Sequence, residues 1–251
     1  MLVIAGYGYV GKAVHQAFKD HITTEIVDPQ HNDNKISDFK PTYLIVAVST
    51  PQADNGECDM SNVFDVVGQT DTDCSILIKS TISLEGWQEL KQRFPNHKIT
   101  FSPEFLRAKT ATEDFLNQET IYFGGDEVDD WIEFFCLQFI NVNYYRRTPE
   151  ELIVSKYFRN SFLATKVTFF NQVYDLCEKL GIDYANVREC VTRDERIGTS
   201  HSEVTEERGY GGHCLPKDTN AIVETAKKHG VDLTLIKESI RYNQKIKKVD
   251  L

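Results

Sequence analysis

The sequence has no apolar run long enough to cross a membrane and no excess of positive charge. Apolar runs such as that from Tyr43 to Val48 are far shorter than the roughly 20 residues that a transmembrane helix needs. Lys and Arg number 28 against 38 Asp and Glu, and the net charge of -10 argues against a protein whose main ligand is DNA or an anionic membrane surface. An anionic ligand therefore needs a local basic pocket.

The cysteines also lack a recognisable pattern. They form no CxxC pair and no spacing typical of a zinc site, and the first residues do not resemble a signal peptide. These absences predict reduced thiols, no metal ion and a cytoplasmic protein. What is present, 251 residues with 41% hydrophobic and 26% charged side chains, is typical of a folded globular chain of one large or two ordinary domains.

The first half of the chain alternates short β-branched runs with amphipathic stretches. This alternation is typical of the α/β class, and it predicts a Rossmann-type, doubly wound and mostly parallel sheet over residues 1–148. The predicted strands are Leu2–Ala5, Thr24–Asp28, Leu44–Val48, Ser75–Lys79, Lys98–Phe101 and Thr120–Gly124.

The second half changes to apolar residues at spacings of three and four, which predicts an all-helical domain over residues 149–251. One long helix runs from about Thr148 to Leu180, with Pro149 in its first turn and Gly181 at its end. A loop rich in glycine and charge follows, and two further helices are predicted, at Pro216–His229 and Leu233–Lys248.

A glycine fingerprint, GYGYVG from Gly6 to Gly11, follows the first predicted strand and opens a predicted helix. Gly6 allows a tight turn, Gly8 lets the backbone approach a pyrophosphate, and Gly11 lets helix and strand pack closely. Asp28 ends the second strand, where a carboxylate binds ribose hydroxyls and repels a 2′-phosphate. The pattern predicts NAD in preference to NADP, the alternative being a glycine turn without a ligand.

Cys214 lies in the segment GYGGHCLPKD, from Gly209 to Asp218. Glycines precede it, and Pro216 begins a predicted helix whose amides, with Lys217, favour a thiolate. We therefore predict that Cys214 is a nucleophile. His213 is interpreted as incidental, because adjacent residues on an extended segment point apart. The other cysteines are expected to be small buried hydrophobic side chains, namely Cys58, Cys74, Cys136, Cys177 and Cys190.

Seven short blocks resemble, in order, the motifs of the UDP-glucose/GDP-mannose dehydrogenase family. They are GYGYVG, STP at Ser49–Pro51, KST at Lys79–Thr81, SPEFLR at Ser102–Arg107, SKYFRN at Ser155–Asn160, DERIG at Asp194–Gly198 and GYGGHCLPKD. The resemblance implies oxidation of the 6-hydroxyl of a nucleotide sugar to a carboxylate, UDP-glucose to UDP-glucuronate first of all. Two NAD accept two hydrides, and the sugar passes through a thiohemiacetal and a thioester on cysteine.

The resemblance also implies a role for each matching residue. Cys214 takes the place of the nucleophile and Glu104 that of an acid and base. Lys156 and Asn160 lie four residues apart, hence on one helical face, and would stabilise the oxyanions. The resemblance further assigns the catalytic water to Thr81 and Asp218, the cofactor also to Tyr9, Val10, Thr50, Pro51, Ser80 and Lys217, and the substrate to Phe105, Leu106, Arg107, Arg196, Tyr210 and Gly211.

Taken singly, four of these residues have ordinary alternatives that the sequence leaves open. Glu104 could cap the next helix, and Asp218 could be a first-turn acid that favours the helix dipole. Lys156 and Arg196 could be solvated charges.

In the family, the long helix forms the core of a dimer and an arginine matching Arg196 reaches substrate across it. We therefore predict a homodimer, the alternative being a helix that packs only against its own two successors. Relatives continue into a third, nucleotide-binding domain, so we also expect a separate chain as a candidate source of that domain. Two other functions stay open: a two-electron hydroxyacid dehydrogenase on the same scaffold, and a non-catalytic NAD-binding protein.

Overall fold

The computed structural model describes residues 1–53, 58–212 and 214–247. His213 and the predicted helix end at Lys248 lie outside these ranges. The chain folds into two compact units, unit 1 being Met1–Lys156 and unit 2 being Tyr157–Leu251. None of the helices within the described ranges is both long and apolar enough to cross a membrane.

Unit 1 is built on a seven-stranded sheet. Its strands are β1 (Leu2–Ala5), β2 (Thr24–Val27), β3 (Tyr43–Val46), β4 (Ser75–Ile78), β5 (Lys98–Phe101), β6 (Thr120–Gly125) and β7 (Asn143–Arg146). The order is β2-β1-β3-β4-β5-β6-β7, and every neighbouring pair is parallel except β5 and β6. The strand order reverses between β1 and β3, and such a switch point opens a crevice beyond the carboxyl ends of the strands.

The central strands of this sheet are buried on both faces. On β1, Leu2 and Ile4 point to one face and Val3 to the other, yet all three are fully buried. Strands buried on both faces read as continuous apolar runs and need helices on each side. The helices of unit 1 are α1 (Tyr9–Phe18), α2 (Ser61–Gly68), α3 (Leu84–Arg93), α4 (Ala111–Leu116) and α5 (Val128–Phe135).

Six of the strands are predicted from the sequence, and their ends agree with the structure to within two residues. The seventh, β7, was missed because its sequence, NYYR, is polar and mostly exposed. In the part of the chain that the structure describes, β7 is an edge strand next to β6, so it needs no apolar run. With this addition the predicted fold class is confirmed.

The long helix α6 spans Pro149–Leu180, as predicted. At its start, the Thr148 hydroxyl accepts the amide of Glu151 and the Glu151 carboxylate accepts the amide of Thr148, which is a capping box. At its end, Gly181 adopts a left-handed φ of 67°. A left-handed residue at this position closes a helix, and glycine adopts it without a steric penalty.

Unit 2 adds three helices to its part of α6: α7 (Tyr184–Thr192), α8 (Cys214–Lys228) and α9 (Thr234–Ile246). Helix α7 was not predicted from the sequence. Helix α8 begins two residues before the expected start at Pro216. A first-turn amide has no partner within its own helix, so Pro216 can lie inside the first turn without breaking a hydrogen bond.

Two of the cysteine predictions are wrong. Cys58, Cys74 and Cys177 are buried as expected, and burial raises the pKa of Cys74 to about 12. Cys136, which caps α5, and Cys190, on α7, are exposed instead.

Candidate active site

The glycine fingerprint forms the turn between β1 and α1, at the switch point of the sheet. Gly6 has a φ of 92°, and a Cβ on it would lie 2.5 Å from the carbonyl oxygen of Ala47. A Cβ on Gly11 would lie 2.0 Å from the carbonyl oxygen of Gly6. A Cβ on Gly8, by contrast, would have no described atom within 4 Å apart from its own chain neighbours. Two glycines are therefore needed for packing, and the third leaves the backbone open to a ligand.

Asp28 lies directly after β2 and faces this turn. Its Oδ2 accepts the backbone amide of Tyr7 at 2.6 Å, and its Oδ1 accepts the amide of Gln30 at 2.7 Å. These bonds fix the carboxylate beside the fingerprint, and each oxygen keeps a second lone pair for a ribose hydroxyl. The residues present thus fit the adenosine half of a dinucleotide.

The remaining cofactor residues predicted in unit 1 lie at the same edge of the sheet. Tyr9 and Val10 begin α1, and Gly8 precedes them as its N-cap. Ser80 is buried after β4 and donates its hydroxyl to the carbonyl of Val48 at 2.7 Å. Thr50 is buried and Pro51 exposed in the segment after β3. This edge is where parallel sheets bind ligands.

A buried ion pair joins the next two strand ends. Lys79 follows β4, and its ammonium pairs with Glu104, which follows β5, and donates to the hydroxyl of Ser102 at 2.9 Å. Lys79 is 2% exposed and Glu104 8%. The ammonium also lies 5.3 Å from the ring centre of Phe135. Glu104 is therefore a buried, charge-compensated carboxylate and not a helix cap.

The rest of the SPEFLR segment is held by a second ion pair. Arg107 forms a two-pronged contact with Asp114 of α4, through Nε at 3.0 Å and Nη2 at 2.6 Å. The Arg107 side chain holds the pKa of Asp114 well below its ordinary value. Leu106 packs against the core, and Phe105 meets the ring of Tyr122 edge-on.

Thr81, the predicted water ligand, lies after β4. Its backbone carbonyl accepts a hydrogen bond from the thiol of Cys58 at 3.3 Å.

In unit 2, a carboxylate is held by two nitrogen donors. Asp218 is 1% exposed. Its Oδ2 accepts the side-chain amide of Asn160, from α6, at 2.6 Å. Its Oδ1 pairs with the ammonium of Lys217 at 2.6 Å. Asp218 lies in the second turn of α8, so it is neither a first-turn acid nor solvated.

Cys214 is the first residue of α8 and is half-buried. Because Asp218 lies four residues further along α8, thiol and carboxylate share one face of that helix. Lys156 likewise precedes Asn160 by four residues on α6, and it is buried, which excludes the solvated alternative for this lysine. Thiol, carboxylate and amide are thus clustered within unit 2.

The other substrate residues predicted in unit 2 differ in their surroundings. Tyr210 is buried, whereas the side chain of Arg196 is largely exposed and pairs with the neighbouring Asp194. Gly211 lies close to the end of the Lys247 side chain. Among the described residues, no cluster of His, Cys, Asp and Glu could hold a metal ion.

Sequence models of two domains of one family match the chain. The NAD binding domain of the UDP-glucose/GDP-mannose dehydrogenase family matches residues 39–133, and its central domain matches residues 151–245. The chain belongs to the UDP-glucose/GDP-mannose dehydrogenase family. The family predicted from the motifs is thereby confirmed, and so is NAD as the cofactor.

Relatives within the family are similar over most of this chain. The UDP-glucose 6-dehydrogenase of Rickettsia bellii is 32% identical over 214 residues, which are 80% of this chain and 49% of that protein. The chain thus spans about half the length of the curated relatives it matches. The structure of a UDP-glucose dehydrogenase from Pyrobaculum islandicum superposes with a TM-score of 0.81 at 25% identity, covering 97% of this chain and 68% of that one.

The fold also occurs outside nucleotide-sugar chemistry. A 3-hydroxyisobutyrate dehydrogenase from Mycobacterium tuberculosis superposes with a TM-score of 0.73 at 14% identity, covering 97% of this chain and 92% of that one. At this identity the likeness shows the fold alone. The two-electron alternative therefore gains no support beyond the shared scaffold.

Lys79 was not predicted from the sequence as a residue of the candidate site. Ile78 is paired in register with Phe101, so Lys79 and Ser102 are the next residues on two adjacent parallel strands. A lysine directly after a fully apolar strand was the available signal, because the carboxyl ends of neighbouring strands meet at one edge of the sheet. That signal identifies the edge but not the partner.

Proposed function

We propose that this protein is an NAD-dependent dehydrogenase that oxidises the 6-hydroxyl of a nucleotide sugar to a carboxylate, with UDP-glucose as its substrate and UDP-glucuronate as its product. The observation that carries the proposal is the cluster of Cys214, Asp218 and Asn160. A half-buried thiol lies one turn from a buried carboxylate, which is itself fixed by an amide. A two-electron alcohol oxidation needs no such thiol.

The reaction balances as two oxidations followed by a hydrolysis. The sugar CH2OH first loses a hydride and a proton to become an aldehyde. The sulfur of Cys214 adds to the aldehyde carbon, and the hemithioacetal loses a second hydride and a proton to become a thioester. Water then cleaves the C–S bond, which releases the carboxylate and returns the thiol. Two NAD molecules, bound in succession, would supply the hydride acceptors for the two oxidations.

The chain's own charged and polar groups are assigned to the proton and oxyanion steps. Asp218 accepts a proton from the hydrolytic water, with Thr81 as a second water ligand. Lys156 and Asn160 stabilise negative charge on the sugar oxygen, since donors fixed before the reaction stabilise an oxyanion best. Glu104 moves the proton of the 6-hydroxyl, and its ion pair with Lys79 holds the carboxylate in position.

The residues that bind the nucleotide sugar are also part of the proposal. We assign substrate binding to the segment from Phe105 to Arg107, to Arg196, and to the loop with Tyr210 and Gly211. A separate chain that contributes further nucleotide contacts stays a prediction. We also assign the protein to the cytoplasm, where a thiol such as that of Cys214 stays reduced.

The experiment is NADH formation from NAD with UDP-glucose, UDP-N-acetylglucosamine or GDP-mannose, each supplied separately. We expect the fastest rate with UDP-glucose, with a uronate as the product. NAD binding without NADH formation from any of the three sugars would contradict the enzyme proposal and favour a non-catalytic NAD-binding protein.

We further propose that two copies of the chain pair through α6. Five large apolar side chains on this helix are exposed: Phe158, Phe162, Phe169, Leu176 and Leu180. Their spacings of four, seven, seven and four residues place them along one stripe. A groove of about 560 Å³ adjoins the stripe at Phe169 and is bordered by α9, where Leu235 is also exposed. A contiguous apolar surface of this kind favours a second copy over water.

Charge on the stripe is expected to separate the two copies. In the double variant Phe162→Glu, Phe169→Glu, burial of two carboxylates opposes association, and the mass by light scattering is expected to fall from dimer to monomer. The control is Ile140→Glu, which adds a carboxylate at an exposed apolar residue of unit 1. A wild-type chain that is monomeric at micromolar concentration, or a control that dissociates equally, would contradict the dimer proposal.

A further inference from the structure

A second stripe of α6, distinct from the exposed apolar one, contacts residues on both sides of the thiol in the chain. The residues of this stripe are Asn160, Ala164, Val167, Asn171 and Asp175, at intervals of four, three, four and four. Such intervals keep side chains on a single helical face. The face binds Asp218 at one end and Arg208 at the other, so residues 208–210 and 215–218 both lie against it.

The middle of this stripe is apolar. Ala164 and Val167 pack with the buried ring of Tyr210, and Leu215 packs against the same group. Leu215 directly follows Cys214 in the chain. The position of the thiol is therefore tied to α6 through its neighbour and through Tyr210.

At the far end, a buried asparagine holds the backbone of the segment. Asn171 is 1% exposed, and its Oδ1 accepts both the Nε of Arg208 at 2.8 Å and the amide of Gly209 at 3.2 Å. Its own Nδ2 donates to the carbonyl of Val167 at 2.9 Å, which fixes the orientation of the side chain. Asp175 adds an ion pair to Arg208 at 2.5 Å.

A second buried asparagine, Asn243 on α9, holds the next residue of the segment, Tyr210. The Oδ1 of Asn243 accepts the amide of Tyr210 at 2.7 Å, and its Nδ2 donates to the carbonyl of Tyr210 at 3.0 Å. One side chain thus forms hydrogen bonds to both the N–H and the C=O of a buried residue. Leaving these two groups unpaired away from water would cost free energy. The contact is close, because a Cβ on Gly209 would lie 2.2 Å from that Oδ1.

The backbone between these two contacts is in an uncommon conformation. Arg208 and Gly209 have φ values of 58° and 61°, both in the left-handed region. A side chain at a left-handed position costs free energy, so the turn at Arg208 persists only when surrounding contacts hold it. Asn171 and Asn243 supply such contacts on either side of the turn.

We propose that Asn171 and Asn243 are positioning residues for Cys214. Together they hold the peptide from Arg208 to Tyr210 against α6 and so set where the thiol lies at the start of α8. The expected effect of these residues on turnover rests on the proposed role of Cys214 as nucleophile. Their expected effect on the exposure of the thiol does not. A loosened segment leaves the fold intact and exposes the thiol more often.

The test is Asn243→Asp, which keeps the size of the side chain and the acceptor for the Tyr210 amide, but replaces the donor to the Tyr210 carbonyl by a carboxylate oxygen that repels it. The matched control is Asn186→Asp, the same change at an exposed asparagine of α7. Alkylation by iodoacetamide is followed at each cysteine by peptide mass spectrometry. We expect Cys214 to react several-fold faster in Asn243→Asp than in the control. The rate at Cys177, buried on α6, is expected to stay the same.

Catalysis gives a second readout that a general loss of structure would not produce. A displaced reacting group can lower the rate on the order of 100-fold, so we expect kcat to fall by that order in Asn243→Asp. The KM for NAD is expected to be unchanged, because the fingerprint lies in unit 1. Gly209→Ala, which pushes a methyl group against Asn243, is expected to act in the same way and replaces Asn243→Asp if that variant does not fold.

The outcomes separate this inference from the enzyme proposal. Equal alkylation of Cys214 in Asn243→Asp and in the control would overturn the positioning role, whatever the activity. Parallel increases at Cys214 and Cys177 would also overturn it, because they would show a loss of the whole unit. Selective exposure of Cys214 in a protein without turnover would support the positioning role and contradict only the proposed function.

Discussion

Cys214→Ser is expected to lower uronate formation by at least about a thousandfold, since loss of a nucleophile removes the covalent route altogether. A serine hydroxyl is largely un-ionised near neutral pH and does not trap the aldehyde as a sulfur adduct. Without the hemithioacetal, there is no intermediate from which the second hydride can be transferred. NAD binding is expected to be unchanged, because the cofactor residues of the fingerprint lie in unit 1.

The matched control is Cys190→Ser, at an exposed thiol of the same unit. It is expected to keep wild-type uronate output, measured by mass spectrometry of the product together with NADH absorbance. Normal uronate output from Cys214→Ser would contradict the nucleophile assignment. Full activity of that variant on a small hydroxyacid would favour the two-electron alternative.

Lys79→Met is expected to lower the free energy of unfolding of unit 1 by about 3–5 kcal/mol, the usual cost of leaving one partner of a buried ion pair uncompensated. Lys79 and Glu104 are both almost fully buried, so water cannot replace the lost ammonium. Both tryptophans, Trp87 and Trp131, are buried in unit 1. Their fluorescence in a urea titration therefore follows this unit without contribution from unit 2.

Two further variants separate charge from packing. Lys91→Met removes the ammonium of a partly exposed pair with Asp126 and is expected to cost no more than about 1 kcal/mol. Adding Glu104→Gln to Lys79→Met removes the remaining buried charge and is expected to restore most of the lost stability. If Lys79→Met costs no more than Lys91→Met, the charge compensation of Glu104 is wrong.

Much of the fold could be predicted from the sequence, because several of the motifs that mark its strands and helices lie within short stretches of the chain. The strand LVIA followed by GYGYVG places a turn, a helix and a phosphate-binding backbone within ten residues. The long helix was equally legible, since Pro149 and Gly181 mark its ends and the apolar spacing between them is regular. Burial of Lys156 and Asp218 agreed with the roles that the motif resemblance implied, although those roles stay predictions.

The contacts that organise the candidate site were not legible, because each joins residues far apart in the chain. Pairing of Lys79 with Glu104 depends on the register of β4 against β5. The contact from Asn243 to Tyr210 spans 33 residues and depends on how α9 packs. An asparagine within a helix gives no sign that its amide serves the backbone of another segment.

The measurement that tests the central claim most directly is the ratio of NADH formed to sugar consumed, with UDP-glucose limiting and NAD in excess. We predict two NADH for each UDP-glucose and one uronate for each sugar, because the thioester route removes four electrons. One NADH for each sugar, with an aldehyde as the final product, would contradict the account.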